Sequence, residues 1–250
     1  MNVLIIHGWM HSAKIYEKLA SDLKSKLNIN CILYEFAGFG ETPALFYSDI
    51  INNYVLQLQN YINNNKIDLI IAHSLGGNIV LKLINEIECN NIILLSPEYY
   101  GISLLKPAKY IKKAIISILK LLEKRTPITD FILKAFSLFT INKWNLISNQ
   151  VLDDARRCNK EVATELMIEM ADDKWTISDM KLKNIVLVLG EKDRVISKKK
   201  MDKLIRDAKL SNKIIISNIG HTAVLEDYNK LFNIIENEVK NVKEIWKQSV

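Results

Sequence analysis

The chain has 250 residues, 49% of them hydrophobic and 25% charged, with a formal net charge of +6. This composition excludes disordered, collagen-like and coiled-coil architectures, and the length suits one large domain or two small ones. No apolar run reaches the roughly 18–20 residues that cross a bilayer, and Val3–Ile6 is too short for a signal peptide, so a cytoplasmic location is expected.

Val3–Ile6 reads as a strand ending at His7-Gly8. Ser12 is placed to cap a helix carrying Ile15, Leu19, Leu23 and Leu27 at spacings of four. Ile32–Phe36 reads as a second strand, ending in Ala37-Gly38-Phe39-Gly40, and a helical pattern runs from Ser48 to Asn63. Asp68–Ala72 is an apolar strand that runs into His73-Ser74-Leu75-Gly76-Gly77, and Asn78–Ile87 is helical. Ile92–Leu95 is a strand ending at Ser96-Pro97. Beyond it the alternation stops until Ile185–Leu189, a strand closed by Gly190. A helix over Lys198–Ala208, a strand over Lys213–Ile219 and a helix over Ala223–Lys240 complete the chain. Strands alternating with helices through short links predict an α/β fold with a mostly parallel six-stranded sheet, helices on both faces.

Residues 100–182 interrupt that pattern with helices alone. Ile111, Ala114, Ile115, Ile118 and Leu122 form one apolar face, and Phe131, Ile132, Ala135, Phe136 and Phe139 form another. A longer helix is expected over Val151–Ala171. Because the α/β pattern resumes, 100–182 is expected to be an insertion after the fourth strand, with 1–99 and 183–250 forming the core. Residues 101–150 carry nine Lys/Arg against two Asp/Glu, while 151–180 carry four against eight. The basic half suits an anionic substrate, an acidic carrier protein or an anionic membrane, or is a solvated outer face. With no nucleic-acid-binding motif, and the basic charge confined to one segment, nucleic acid is not expected as a partner.

Cys31, Cys89 and Cys158 are odd in number, far apart and outside any C-x-x-C pair, so reduced thiols are expected and no metal site. Seven of the eight glycines follow a predicted strand, at 8, 38, 40, 76, 77, 190 and 220. His7, His73 and His221 also sit at strand ends, and His11 follows the first loop. Ligands of open α/β sheets bind outside the carboxyl ends of the strands, so one site built from several strand ends is expected.

Ala72-His73-Ser74-Leu75-Gly76 places a serine between an apolar strand and a helix, with small residues two positions to either side. This is the context of a nucleophile elbow, with Ala72 where glycine is usual. Here the chain resembles the α/β-hydrolase superfamily. The resemblance rests on Ile6-His7-Gly8-Trp9, Tyr34 to Thr42, Ala72 to Gly77, Gly190 to Val195, and Gly220-His221. It implies Ser74 as nucleophile, Asp193 as acid and His221 as base, in the chain order of that fold. Glu98, after the fourth strand, is the rival acid. The resemblance also implies that 100–182 is a helical cap, and that the sheet is trimmed of the usual N-terminal antiparallel strands.

The backbone N–H groups of Trp9 and Leu75 are expected to hold the oxyanion. His7, Phe39 and His73 are candidates for the substrate pocket, His7 and His73 also for supporting roles. The apolar inner faces of the insertion suit a hydrophobic acyl or ring-bearing substrate. The expected activity is cofactor-independent hydrolysis of a carboxylic ester or thioester through an acyl-serine. The alternatives are a C–C bond hydrolase or lyase using the same residues, or a binding protein of low turnover.

Overall fold

The computed structural model describes residues 1–175, 177, 183–210 and 212–248, with backbone alone for 103–106 and 245–248. The end of the expected insertion, 178–182, lies outside the described residues. The strands are β1 (Asn2–Ile6), β2 (Asn30–Tyr34), β3 (Leu69–His73), β4 (Asn91–Leu95), β5 (Asn184–Gly190) and β6 (Asn212–Ile216). They form one sheet of order β2-β1-β3-β4-β5-β6, parallel throughout. The order reverses between β1 and β3, which sit side by side with Ile6 opposite Ala72. Their carboxyl ends therefore open the crevice where such sheets place ligands.

Side chains alternate across the sheet. Leu4, Ile6, Ile70, Ala72, Ile92 and Leu94 point to one face, packed with α2 (Ile50–Asn63), α3 (Leu75–Lys82) and α8 (Lys198–Asp207). Val3, Ile5, Leu69, Ile71, Ile93 and Leu95 point to the other, packed with α1 (Glu17–Leu27) and α10 (Tyr228–Gln248). Two apolar layers explain why the strands read as unbroken hydrophobic runs.

Several boundaries differ from the sequence reading. β2 starts and ends two residues earlier, and Phe36 is instead buried in the core. α3 begins directly after Ser74 and ends at Lys82. The expected final helix is two: α9 (Ala223–Glu226) and α10, separated by Asp227, whose backbone leaves the helical conformation.

Between β4 and β5 the chain forms a 3-10 segment (Ser103–Tyr110), then α4 (Lys112–Leu121), α5 (Pro127–Ser137), α6 (Asn149–Arg157) and α7 (Lys160–Asp172), with no strand among the described residues. The single helix expected over Val151–Ala171 is broken at Cys158-Asn159. Asn159 leaves the helical conformation and its side chain accepts the Val162 N–H, capping α7. α7 is joined to the core by Glu169, whose carboxylate accepts the Ile50 and Ile51 N–H groups at 2.8 Å each. It thereby caps α2, whose own N-cap, Asp49, makes no side-chain cap bond.

The apolar faces of α4 and α5 point inward only in part. α4 has no buried residue, and Ile111 and Ile118 are each 54% exposed. α5 buries Leu133 and Ser137, while Phe131 and Ile132 lie outside and Phe136 is half exposed. Of the expected α4 face Leu122 is buried in the core, and Leu119, outside that face, packs against it. No helix among the described residues is long and apolar enough to cross a membrane.

Candidate active site

β3 ends at His73 and α3 starts at Leu75, so the chain turns at Ser74 alone. Ser74 has φ 51° and ψ −114°, a conformation costly for any residue with a Cβ. Neighbouring backbone holds it there. The Ser74 N–H donates to the Leu95 carbonyl at 3.0 Å, and the Ser74 carbonyl accepts from Asn78 and Glu98, each at 3.0 Å. The first turn of α3 lies hard against β1: a Cβ on Gly76 would be 2.7 Å from the His7 carbonyl oxygen. Gly8 approaches from the same side, where a Cβ would lie 3.1 Å from the Ser74 Cβ.

The loop after β6 brings His221 to this turn. Its Nε2 lies 2.7 Å from Ser74 Oγ, and its Nδ1 lies 2.8 Å from Asp193 Oδ2. Asp193 stands after β5. Its Oδ1 accepts the N–H groups of Val195 at 2.8 Å and Ile196 at 2.9 Å. Burial alone would raise the Asp193 pKa. The positive charge of protonated His221 and the hydrogen bonds to the carboxylate outweigh it, so the group is held below its ordinary value. The two loops meet closely, since a Cβ on Gly190 would be 1.9 Å from the Gly220 carbonyl oxygen.

Glu98, the rival acid, makes no contact with His221. It accepts a hydrogen bond from Asn78 Nδ2, which also donates to Asp173 Oδ2 at 2.9 Å. Lys82 pairs with the other Asp173 oxygen at 2.8 Å. Burial, with the nearby Asp173 charge, pushes Glu98 up to about 8.

The other expected site residues divide. Trp9 follows Gly8, beside Ser74, and its indole N–H donates to the Ala163 carbonyl at 2.9 Å. Leu75 is the first residue of α3, so its N–H has no acceptor within the helix. His73 lines the cavity, and its Nε2 donates to the His221 carbonyl at 3.0 Å. His7 and Phe39, expected in the pocket, do not line this cavity. Both are fully buried, with ring centroids 5.7 Å apart. His7 Nδ1 donates to the Gly8 carbonyl at 2.8 Å, and Nε2 accepts the Phe36 N–H at 3.1 Å. This fixes the neutral tautomer, and burial lowers its pKa to about 4.

Over Ser74 lies a cavity of about 160 Å³. The core supplies Trp9, His11, His73, Ser74, Val195 and His221, and the helical segment supplies Ile102, Phe136, Phe139, Thr140 and Met170. Sequence reasoning placed Phe136 and Phe139 on an apolar face. Nothing local marked Thr140 or Met170, which reach the site only through long-range packing. His11 had a signal, its position on the same rim as the other histidines. Among the described residues no group of three or more His, Cys, Asp or Glu is placed to hold a metal ion.

The fold resembles several solved structures at low sequence identity. An esterase from Thermogutta terrifontis (malate bound) aligns with a TM-score of 0.73 and 16% identity, over 97% of this chain and 90% of that one. An esterase from Exiguobacterium antarcticum aligns with a TM-score of 0.70 and 18% identity, over 97% and 92%. The 2-hydroxy-6-oxo-6-phenylhexa-2,4-dienoate hydrolase of Rhodococcus sp. strain RHA1 aligns with a TM-score of 0.73 and 16% identity, over 96% and 90%. No curated protein matches in sequence. A family model described as serine aminopeptidase, S33, matches residues 1–227. Nearly the whole chain is thus accounted for by one family, and the protein belongs to the S33 serine aminopeptidase-like α/β hydrolases.

Proposed function

We propose that this protein is a serine hydrolase that cleaves a carboxylic ester or thioester through an acyl-Ser74 intermediate, with 100–182 as its cap. The supporting observation is the continuous chain Ser74 Oγ–His221–Asp193, with links of 2.7 and 2.8 Å. Ser74 Oγ attacks the substrate carbonyl carbon while His221 Nε2 takes the hydroxyl proton. The negative oxygen of the tetrahedral intermediate lies against the N–H groups of Trp9 and Leu75, each such donor lowering the barrier by roughly 3–4 kcal/mol. His221 then gives its proton to the departing alcohol or thiol. Water attacks the acyl-serine, its proton passes to His221 and on to Ser74 Oγ, and the acid leaves. Asp193, ionised, holds the imidazole tautomer and stabilises the imidazolium.

The cavity lining supports an acyl ester over a peptide with a free amino terminus. It is largely apolar and, among the described residues, contains no carboxylate to hold a substrate ammonium group. The test is labelling with a fluorophosphonate probe, read by peptide mass spectrometry, alongside Ser74→Ala. Labelling confined to Ser74, with turnover of acyl esters, is expected. A folded protein that takes no label at Ser74 and turns over no ester or thioester would overturn the reading.

A further inference from the structure

We propose that the outer face of the helical insertion docks on the surface of an anionic lipid bilayer, so that esters held in the lipid enter the cavity directly. The ester part rests on the function proposed above; the docking part does not. Four apolar residues of α5, Ile128, Phe131, Ile132 and Phe136, share one face at spacings of three and four. They are 72%, 62%, 43% and 48% exposed. Trp144 extends the patch, its ring 5.5 Å from that of Phe131, and Phe139 is half exposed beside it in sequence. The preceding helix, α4, also turns Ile118 and Leu121 out. An amphipathic helix ordinarily buries such a stripe, so one left outside marks an interaction surface.

The patch is joined to the site. Phe136 and Phe139 line the cavity over Ser74 while half of each faces outward. An acyl chain passing along these rings would move from the outer face to the nucleophile over apolar contacts.

Charge selects the occupant. Residues 101–150 carry nine Lys/Arg against two Asp/Glu; Lys109, Lys112, Lys120 and Arg125 pair with carboxylates of 151–180, while Lys113, Lys124 and Lys143, close in sequence to the apolar residues, are exposed. A second copy of this chain would bring two such basic segments together and repel. An anionic bilayer accepts both features, since apolar side chains enter the acyl boundary while lysines face the headgroups.

The test uses the full chain with Ser74→Ala, so that no lipid is consumed, in co-sedimentation with vesicles. One set is phosphatidylcholine alone; the other contains about a quarter phosphatidylglycerol. Partitioning ~10-fold or more stronger on the anionic set is expected, weakening as salt rises. Ile128→Ser with Phe131→Ser should weaken it a further ~10-fold or more, because two buried anchors are lost. In the chain with Ser74 intact, that double change should leave turnover of a short water-soluble ester unaltered. Lys113→Glu with Lys124→Glu should reduce partitioning on anionic vesicles alone. Folded protein that binds neither set, binds both equally, or binds undiminished with the serine pair in place would overturn the proposal. So would a dimer abolished by the serine pair. Vesicle binding needs no chemistry at Ser74, so failed labelling there with docking intact would fault the hydrolase reading only.

Discussion

The backbone N–H of His221 donates to the carbonyl of Thr140 at 3.1 Å, so the imidazole-bearing loop is tied to the helical segment between β4 and β5. The same carbonyl accepts from Thr222 at 3.2 Å. Glu226 makes a second tie, its Oε2 accepting from Gly220 at 2.9 Å and from Asn142 at 3.1 Å. Under the proposed mechanism Glu226 is thus a positioning residue. Glu226→Ala should lower stability by about 2–4 kcal/mol, since two hydrogen bonds to a charged acceptor are lost. It should reduce kcat more than it raises KM, and Glu226→Gln should restore part of kcat. A loss of stability with kcat unchanged in the remaining folded enzyme would remove the positioning role.

The two acids near the site should separate cleanly. Asp193→Asn is expected to lower kcat by ~10³–10⁴-fold, because the amide no longer favours the working tautomer or stabilises the imidazolium. Glu98→Gln keeps the shape and the contact with Asn78, and turnover should stay within about threefold of the parent, as for a substitution away from the reacting atoms. Steady-state kinetics on one ester decides it, and the reverse pattern would move the acid to Glu98.

Gly8→Ala tests the approach of the first loop to the nucleophile. The new methyl would lie 3.0 Å from His73 Nδ1 and 3.1 Å from Ser74 Cβ, so the loop must shift by tenths of an ångström. Moving the Trp9 N–H off the oxyanion should lower kcat by ~10²–10³-fold. Binding of a substrate analogue should change far less. Equal losses in both would point to a collapsed cavity instead.

Buried histidines give the fold an acid limit. Burial lowers His7 and His11 to about 4, and His73 falls well below its ordinary value. In the unfolded chain these groups take up protons near their ordinary pKa of about 6.5. Below that pH the unfolded state binds protons that the native state excludes, so their contribution is present above it and is lost as pH falls toward 4. Urea unfolding at several pH values should show it. His7→Gln should reduce the slope of stability against pH in that window by up to about one proton.

Glu98 acts in the opposite sense. Raised to about 8, it keeps a proton in the folded state that the unfolded state gives up near its ordinary value. Its contribution therefore declines as pH rises toward 8 and then levels. Stability of Glu98→Gln should decline less over that range, in the same urea series.

The strands were legible because both sheet faces are covered, which leaves runs such as Leu69-Ile70-Ile71-Ala72 with nothing polar in them. That one site would gather several strand ends followed from the glycines and histidines there, whereas Ser74, Asp193 and His221 were singled out by the serine between strand and helix and by the family resemblance. The break before α7 had a local signal, since Asn159 is a good N-cap residue, and the apolar period continuing past it concealed that signal. The direction of α5 had none. Periodicity shows that Ile128, Phe131 and Ile132 share a face, while only the packing of Leu133 beneath shows which way it points. His7 and Phe39 were misplaced for a related reason. Chain position puts them at strand ends but does not show which side chains line the cavity.

The contact of the Trp9 indole with Ala163 limits how freely the helical segment can be exchanged. Segments inserted after a strand are usually regarded as exchangeable parts, varied freely while a conserved scaffold does the chemistry. Here the segment also holds Thr140, which anchors the His221 loop from the opposite side. A segment put in place of 100–182 would have to present main-chain carbonyls at the same two points to keep the Trp9 indole and the His221 and Thr222 N–H groups paired. Such a chimera would change specificity and leave the His221 loop in place only if its own backbone met both demands.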